Sequence, residues 1–248
     1  MGLFKIILLG IFISTLSFAN TSNKGFPKEY YKLSGKKAKN YFFNFLEKKI
    51  ELENLKILRE RDFIVSLNNR KDLKKNSKEF IELQRLQKKY KVKNIYDYKT
   101  FLKRVDIIPP SLAIAQAATE SAWGKSRFIR EANNIFGHWT YNKKIGMVPL
   151  KREAGKKHMI RIFPNLESSI AVYMRNLNRT GAYKSFRTNR EKMRKNGKFI
   201  NGYILSEDMT KYSAIGYEYV KILKSIIGKY KLTQLDKKFY NKTIKGKQ

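Results

Sequence analysis

The run IPPSLAIAQAATESAWG, residues 108 to 124, constrains the fold of this chain more than any other stretch. Pro109 and Pro110 stop one helix and start another, because the residue before a proline is pushed out of the helical region while proline itself suits the first helical turn. The helix opened by Pro110 is rich in alanine, so its backbone can approach neighbouring elements closely. Gly124 is a natural C-terminal stop. Glu120 therefore falls in the last turn, near the negative end of the helix dipole, where the carboxylate form is disfavoured; apolar surroundings would disfavour it further. A carboxylic acid that keeps its proton near neutral pH is what a glycosidase needs to protonate a leaving oxygen. An ordinary surface Glu, or one paired with Lys125 or Arg127, is the structural alternative.

The first twenty residues, MGLFKIILLGIFISTLSFAN, carry one early Lys5, an apolar stretch and small residues at Ser17 and Ala19. This pattern predicts a signal peptide over residues 1 to 19 and hence an exported protein, periplasmic or extracellular; an uncleaved anchor is the alternative. The chain has no cysteine, so a packed core rather than disulfides must hold it together. It carries 54 Lys plus Arg against 20 Asp plus Glu, a net charge of +34, and loss of residues 1 to 19 removes only Lys5. Such a charge implies an anionic partner. Nucleic acid is the first class to weigh, yet no zinc-ligand spacing or aromatic RNA-binding signature is present, and export argues against it. The peptide carboxylates and phosphates of the cell envelope are the polyanion an exported protein meets. A compositional bias toward lysine would explain the charge equally well.

Residues 34 to 105 read as helical. Asn76 and Glu79 resemble a capping box ahead of Phe80, Leu83, Leu86 and Tyr90 at helical spacing, and a further helix opens near Asn94. Residues 20 to 105 are thus expected to form a basic helical N-terminal region that either packs on the rest of the chain or binds a partner. Downstream, NNIFGHW (residues 133 to 139) reads as a tight polar–aromatic loop. MVPLKREAGKKHMIRIF suggests two short strands joined at Glu153-Ala154-Gly155-Lys156. Asn165 should cap a helix through Leu166, Ile170, Tyr173, Met174 and Leu177, and TGAYKSFR places Tyr183 and Phe186 on a short turn or helix. Phe136 reads as helix-borne packing. The last residues, 236 to 248, read as a solvated basic tail.

These ordered motifs resemble the Bax-like branch of the glucosaminidases, glycoside hydrolase family 73. IPPSLAIAQAATESAWGKSRF, NNIFGHW, the hairpin ending in RIF, SIAVYMRNLNRTGAYKSFR and KYSAIGYEYVKILKSII carry the resemblance, over roughly residues 100 to 232. It implies an α+β, mostly helical, lysozyme-like fold with a small β-lobe over residues 106 to 235. The implied activity is cleavage of the β-1,4 bond between N-acetylglucosamine and N-acetylmuramic acid in peptidoglycan. Glu120 matches the family's catalytic acid in E-S-x-W-G, and Tyr183 matches the aromatic residue of its A-Y motif. Glu153 is the candidate second carboxylate, with a solvated turn residue as its alternative. Trp139 and Trp123 are candidates to stack on sugar rings, Trp123 being equally readable as core. His138 could touch sugar hydroxyls, and Asn134 of the same loop is a candidate for substrate binding.

No cofactor is implied. His138 and His158 stand apart and form no H-E-x-x-H cluster, so no metal site is expected. Two routes fit the carboxylates: direct inversion, with Glu153 activating water across ~6.5–9.5 Å, or attack by the substrate's own acetamido oxygen. A muramidase or lytic transglycosylase would share the fold, but the chain lacks the G-x-x-G-L-M-Q type stretch of such transglycosylases. A non-catalytic envelope-binding relative is the remaining class.

Overall fold

The computed structural model describes residues 24–150, 152 and 155–243. The expected signal peptide, Glu153 and residues 244–248 lie outside the described residues. The helices are α1 (Gly35–Ser66), α2 (Lys78–Tyr90), α3 (Tyr98–Arg104), α4 (Pro110–Glu120) and α5 (Arg127–Ala132). Three short strands come next: β1 (Trp139–Thr140), β2 (Gly146–Met147) and β3 (Met159–Arg161). The chain continues through α6 (Leu166–Arg179), α7 (Lys184–Lys195), α8 (Gly202–Leu205), α9 (Tyr217–Lys229) and α10 (Thr233–Thr243). The protein is α+β and mostly helical, as expected of a lysozyme-like glucosaminidase domain.

Helix α4 is the axis of the core. Every residue from Pro110 to Ala118 is buried, and α1, α8, α9 and α10 pack around it. Alanine permits that close surround, because a methyl group keeps neighbouring backbones near. At its entry a Cβ on Gly202 of α8 would meet the Leu112 backbone nitrogen at 2.7 Å, so only glycine fits there.

The extended backbone ahead of Pro109 leaves polar groups that the helix cannot satisfy. Asn54 of α1 takes up both: its Nδ2 donates to the Ile108 carbonyl (2.8 Å) and its Oδ1 accepts from the Ile108 amide (2.9 Å). Residues 20 to 105 therefore include a long helix tied into the same core as α4. Arg190 of α7 closes the same corner, fully buried, donating to the carbonyls of Asp106 and Ile107 and to Asn178. Burial alone would raise the Asp106 carboxyl, but Arg194 and Arg61 beside it hold it below the usual range.

Several local expectations shift. Ser77, one residue beyond Asn76, caps α2 by accepting from the Phe80 amide (3.1 Å), and Asp97 rather than Asn94 caps α3. Asn165 caps α6 as expected, accepting from the Ser168 amide at 2.8 Å. The expected pair of strands is present as β2 and β3, but each is shorter, and β1 adds a third: the order is β1-β3-β2, all antiparallel.

Residues 236 to 243 are not a solvated tail. They form most of α10, with Asp236, Phe239 and Thr243 buried at helical spacing. Asp236 is the reason. Its carboxyl accepts from the Ser111 amide (2.8 Å), the Ser111 hydroxyl (2.6 Å) and the Gly202 amide (2.9 Å). It thereby serves the orphan donors at the start of α4, where Pro109 offers no side-chain cap.

Candidate active site

Glu120 is the last residue of α4, and the turn after it is built by its own motif. The Ser121 hydroxyl donates to the Ala117 carbonyl (2.6 Å) and accepts from the Gly124 amide (2.7 Å). Ala122, Trp123 and Gly124 all take positive φ, at 49°, 58° and 75°. Glycine is required at 124, where a Cβ would lie 2.6 Å from the Phe26 ring. This left-handed reversal swings Trp123 away from Glu120, against Phe42, Phe43 and Tyr230, with the Lys39 ammonium 4.8 Å from its ring centroid. Trp123 is therefore a packing residue between α1 and α9, and the expectation of a sugar platform is corrected.

Glu120 borders a cleft of about 570 Å³ that is also lined by Phe136, His138, Trp139, Ile160, Tyr173, Tyr183 and Tyr212. Among the described lining residues it is the only carboxylate. Burial raises its pKa, and one hydrogen bond, donated by the Tyr219 hydroxyl to Oε1 at 2.7 Å, pulls the other way. Behind that bond runs a chain of donors. Tyr173 donates to Gln116 Oε1 (2.6 Å), Gln116 Nε2 donates to the Tyr219 oxygen (3.3 Å), and Tyr219 donates to Glu120. Each bond polarises the next toward the carboxyl. The second oxygen is approached by Gly137, at φ +66°, where a Cβ would stand 3.4 Å from Oε2.

Aromatic rings build the walls. Phe136 stacks flat on Tyr173 at 3.8 Å and Tyr212 stacks on Tyr219 at 5.5 Å. Phe136 lies in the loop after α5 rather than on a helix, although packing is its role. Tyr183 ends a 3-10 turn ahead of α7, half-buried, and burial together with the charge of Glu120 raises its hydroxyl pKa. Trp139 is 62% exposed and stacks on His158 at 4.2 Å, which presents its ring to the cleft.

The loop NNIFGHW is held from within. Asn133 takes the left-handed conformation (φ 51°) that ends α5, accepts from the Gly25 amide (2.7 Å) and donates to the Phe163 carbonyl. Asn134 is buried, accepts from the His138 amide (2.9 Å), and donates to the carbonyls of His138 and Arg161. Both of its amide hydrogens and one lone pair of Oδ1 are used on backbone, so buried Asn134 shapes the loop and does not line the cleft. His138 lines the cleft, and burial lowers its pKa to about 4, so it is neutral near pH 7.

The structure thus brings Glu120, Tyr183, His138 and Trp139 to one cleft and removes Trp123 and Asn134 from it. Tyr219, Gln116 and Tyr173 are the partners that sequence reading missed. One signal was available: Gln116 is four residues before Glu120, on the same helical face, and is a polar residue inside a buried alanine run. Among the described residues no group of three or more His, Cys, Asp or Glu is arranged to hold a metal ion, and no helix is long and apolar enough to cross a membrane.

An aromatic cleft with one shielded carboxyl at the end of its central helix has the general acid that glycoside hydrolysis needs. The family model described as mannosyl-glycoprotein endo-beta-N-acetylglucosaminidase matches residues 95–232. The chain is 31% identical over 191 residues to Protein bax of Escherichia coli (strain K12), covering 75% of this chain and 67% of that protein. It belongs to the glucosaminidase family, whose kind of function is glycoside hydrolysis on a glycan substrate. No solved structure matches it.

Proposed function

We propose that the protein is a peptidoglycan hydrolase, an endo-β-N-acetylglucosaminidase that cuts the β-1,4 bond between N-acetylglucosamine and N-acetylmuramic acid with Glu120 as general acid. The observation that carries this reading is the environment of Glu120: a carboxyl in an aromatic cleft, raised by burial and held by one neutral donor. No cation is bonded to it among the described residues, and the hydrogen bond from Tyr219 is what favours its ionised form. The protonated carboxyl delivers its proton to the glycosidic oxygen as the C1–O bond breaks, and positive charge develops on the sugar ring. Trp139, the exposed ring of the cleft, would supply a flat surface for a sugar face, and the buried Phe136–Tyr173 stack backs the wall. Tyr183, which lines the same cleft as the acid, would steady the reacting sugar or an incoming water.

The sugar cation is then captured in one of two ways. Glu153 accepts a proton from water, whose oxygen bonds to C1; or the substrate's acetamido oxygen bonds to C1 first and water later opens the ring. Residues 1–19 as a signal peptide would take the enzyme to the periplasm or outside the cell, where peptidoglycan lies.

Digestion of purified peptidoglycan, then borohydride reduction and sugar analysis, tests the proposal. Reduced glucosaminitol at new ends is expected. Muramitol would make the protein a muramidase, anhydromuramic ends a lytic transglycosylase, and no new ends a binding relative.

A further inference from the structure

The three-stranded sheet has a cleft on each face. Neighbouring residues in a strand point to opposite sides. Ile160 lines the cleft of Glu120, whereas Met159, next to it in β3, lines a second cleft of about 660 Å³. Gly146 forms part of this second floor, where a Cβ would lie 2.9 Å from the Cβ of Met159, so β2 and β3 are pressed tightly there. Tyr141 and Val148 are exposed on its walls, at 75% and 50%.

The charged side chains among the described residues of the wall are all cationic: Lys143, Arg152, Lys156 and Lys157. No carboxylate is among the described residues that line it. Some surface lysines have acidic partners, as in Lys221–Glu218, Lys238–Glu47 and Lys242–Glu51, but with 54 Lys plus Arg against 20 Asp plus Glu many do not. The four cations of this cleft take part in no ion pair among the described residues. The two clefts share the sheet as their wall: Trp139 lines one and pairs in register with Ile160, and Tyr141, two residues on, lines the other.

We propose that this second cleft binds the acidic peptide that hangs from the glycan strand, so that the enzyme grips peptide-bearing strands more tightly than bare ones. The proposal rests on the peptidoglycan reading above and adds to it a peptide subsite. The chemistry fits on two counts. A stem peptide carries both carboxylates and small methyl side chains, and the cleft combines cations with the apolar surface of Tyr141 and Val148. The cleft is also concave, which suits a chain segment; a lipid headgroup surface is flat and would leave the Met159 floor unfilled. A glycan seated beside Trp139 has its peptide within reach of the sheet edge, around which Tyr141 leads.

Binding is measured with Glu120→Gln in every protein, so that no strand is cut during the assay. The ligands are soluble glycan strands with their peptides and the same strands after amidase treatment. The parent should prefer peptide-bearing strands by on the order of tenfold, the scale of a few exposed ion pairs. The variant Lys143→Gln/Arg152→Gln/Lys156→Gln/Lys157→Gln should lose that preference and keep its affinity for bare strands. A control with the same charge loss, Lys71→Gln/Lys74→Gln/Lys75→Gln/Lys78→Gln, changes exposed lysines in the loop before α2 and at its first residue, and should keep it. Equal loss in both variants would overturn the site in favour of diffuse attraction, and loss in neither would overturn it outright. A cleft variant that keeps the peptide preference but no longer binds anionic vesicles would overturn it in favour of a lipid surface. A protein that showed the expected pattern yet left peptidoglycan uncut would keep this subsite and lose only the hydrolytic reading.

Discussion

The Tyr219 hydroxyl donates to Oε1 of Glu120 across 2.7 Å, joining α9 to the last residue of α4 over 99 positions of sequence. This bond favours the ionised carboxyl, while burial favours the protonated one. Tyr219→Phe removes the opposing influence without opening the cleft, because the ring stays stacked on Tyr212. The Glu120 pKa should rise further. A general acid works only while protonated, so activity is lost as pH rises through that pKa. The descending limb of kcat/KM should therefore move upward by about one pH unit, the scale of a hydrogen bond to a charged group. A limb that stays in place would show that Glu120 does not set it.

Glu153 separates the two routes of capture. If it activates water, Glu153→Gln should lower turnover nearly as much as loss of the acid, on the order of 10² to 10⁴. Azide should then partly restore it by attacking C1 itself. If the acetamido oxygen attacks, the loss should be partial and a thiazoline mimic should inhibit. We expect the first outcome, and full activity in the variant would leave Glu120 as the sole catalytic carboxylate.

Asp236 gives a prediction about stability. Burial raises its pKa to about 7 against the three donors that pull it down. The folded chain thus holds this proton more tightly than the unfolded one, whose Asp titrates near 3.8. The contribution to stability is complete below about pH 4 and is lost as pH rises toward about 7. Asp236→Asn should flatten that slope in urea titrations. It should also cost about 1–3 kcal/mol at low pH, since an amide nitrogen in place of Oδ2 cannot accept from the buried Gly202 amide. An unchanged slope would remove Asp236 as its source.

Binding to insoluble peptidoglycan should weaken steeply with salt, because a chain of net charge +34 relies on attraction screened over roughly 10 Å at 0.1 M. A pull-down from low to high salt reads this directly. Flat binding would reduce the charge to composition.

What the sequence made legible is mostly local chemistry. The Pro109–Pro110 entry, the alanine run and the Asn165 cap each act within a turn or two, so their residues announce them. What it hid depends on distant partners. Asp236 looks like one more polar residue in a lysine-rich end until Ser111 and Gly202 are seen to need it. Trp123 reads as either a sugar platform or core, and three successive positive φ angles that turn it onto α1 decide for packing. Asn134 looks free for substrate until His138 and Arg161 occupy it. The Tyr173–Gln116–Tyr219 chain draws on three helices, and no spacing rule links them. Glu120 itself was legible because the apolar run around it is contiguous.

The most direct measurement of the central claim is turnover of purified peptidoglycan by Glu120→Gln, read beside its melting temperature. Gln keeps the volume of the side chain and can still accept from Tyr219, but it has no proton to give the leaving oxygen. The melting temperature should be unchanged and hydrolysis reduced on the order of 10² to 10⁴. Wild-type turnover in this variant would contradict it.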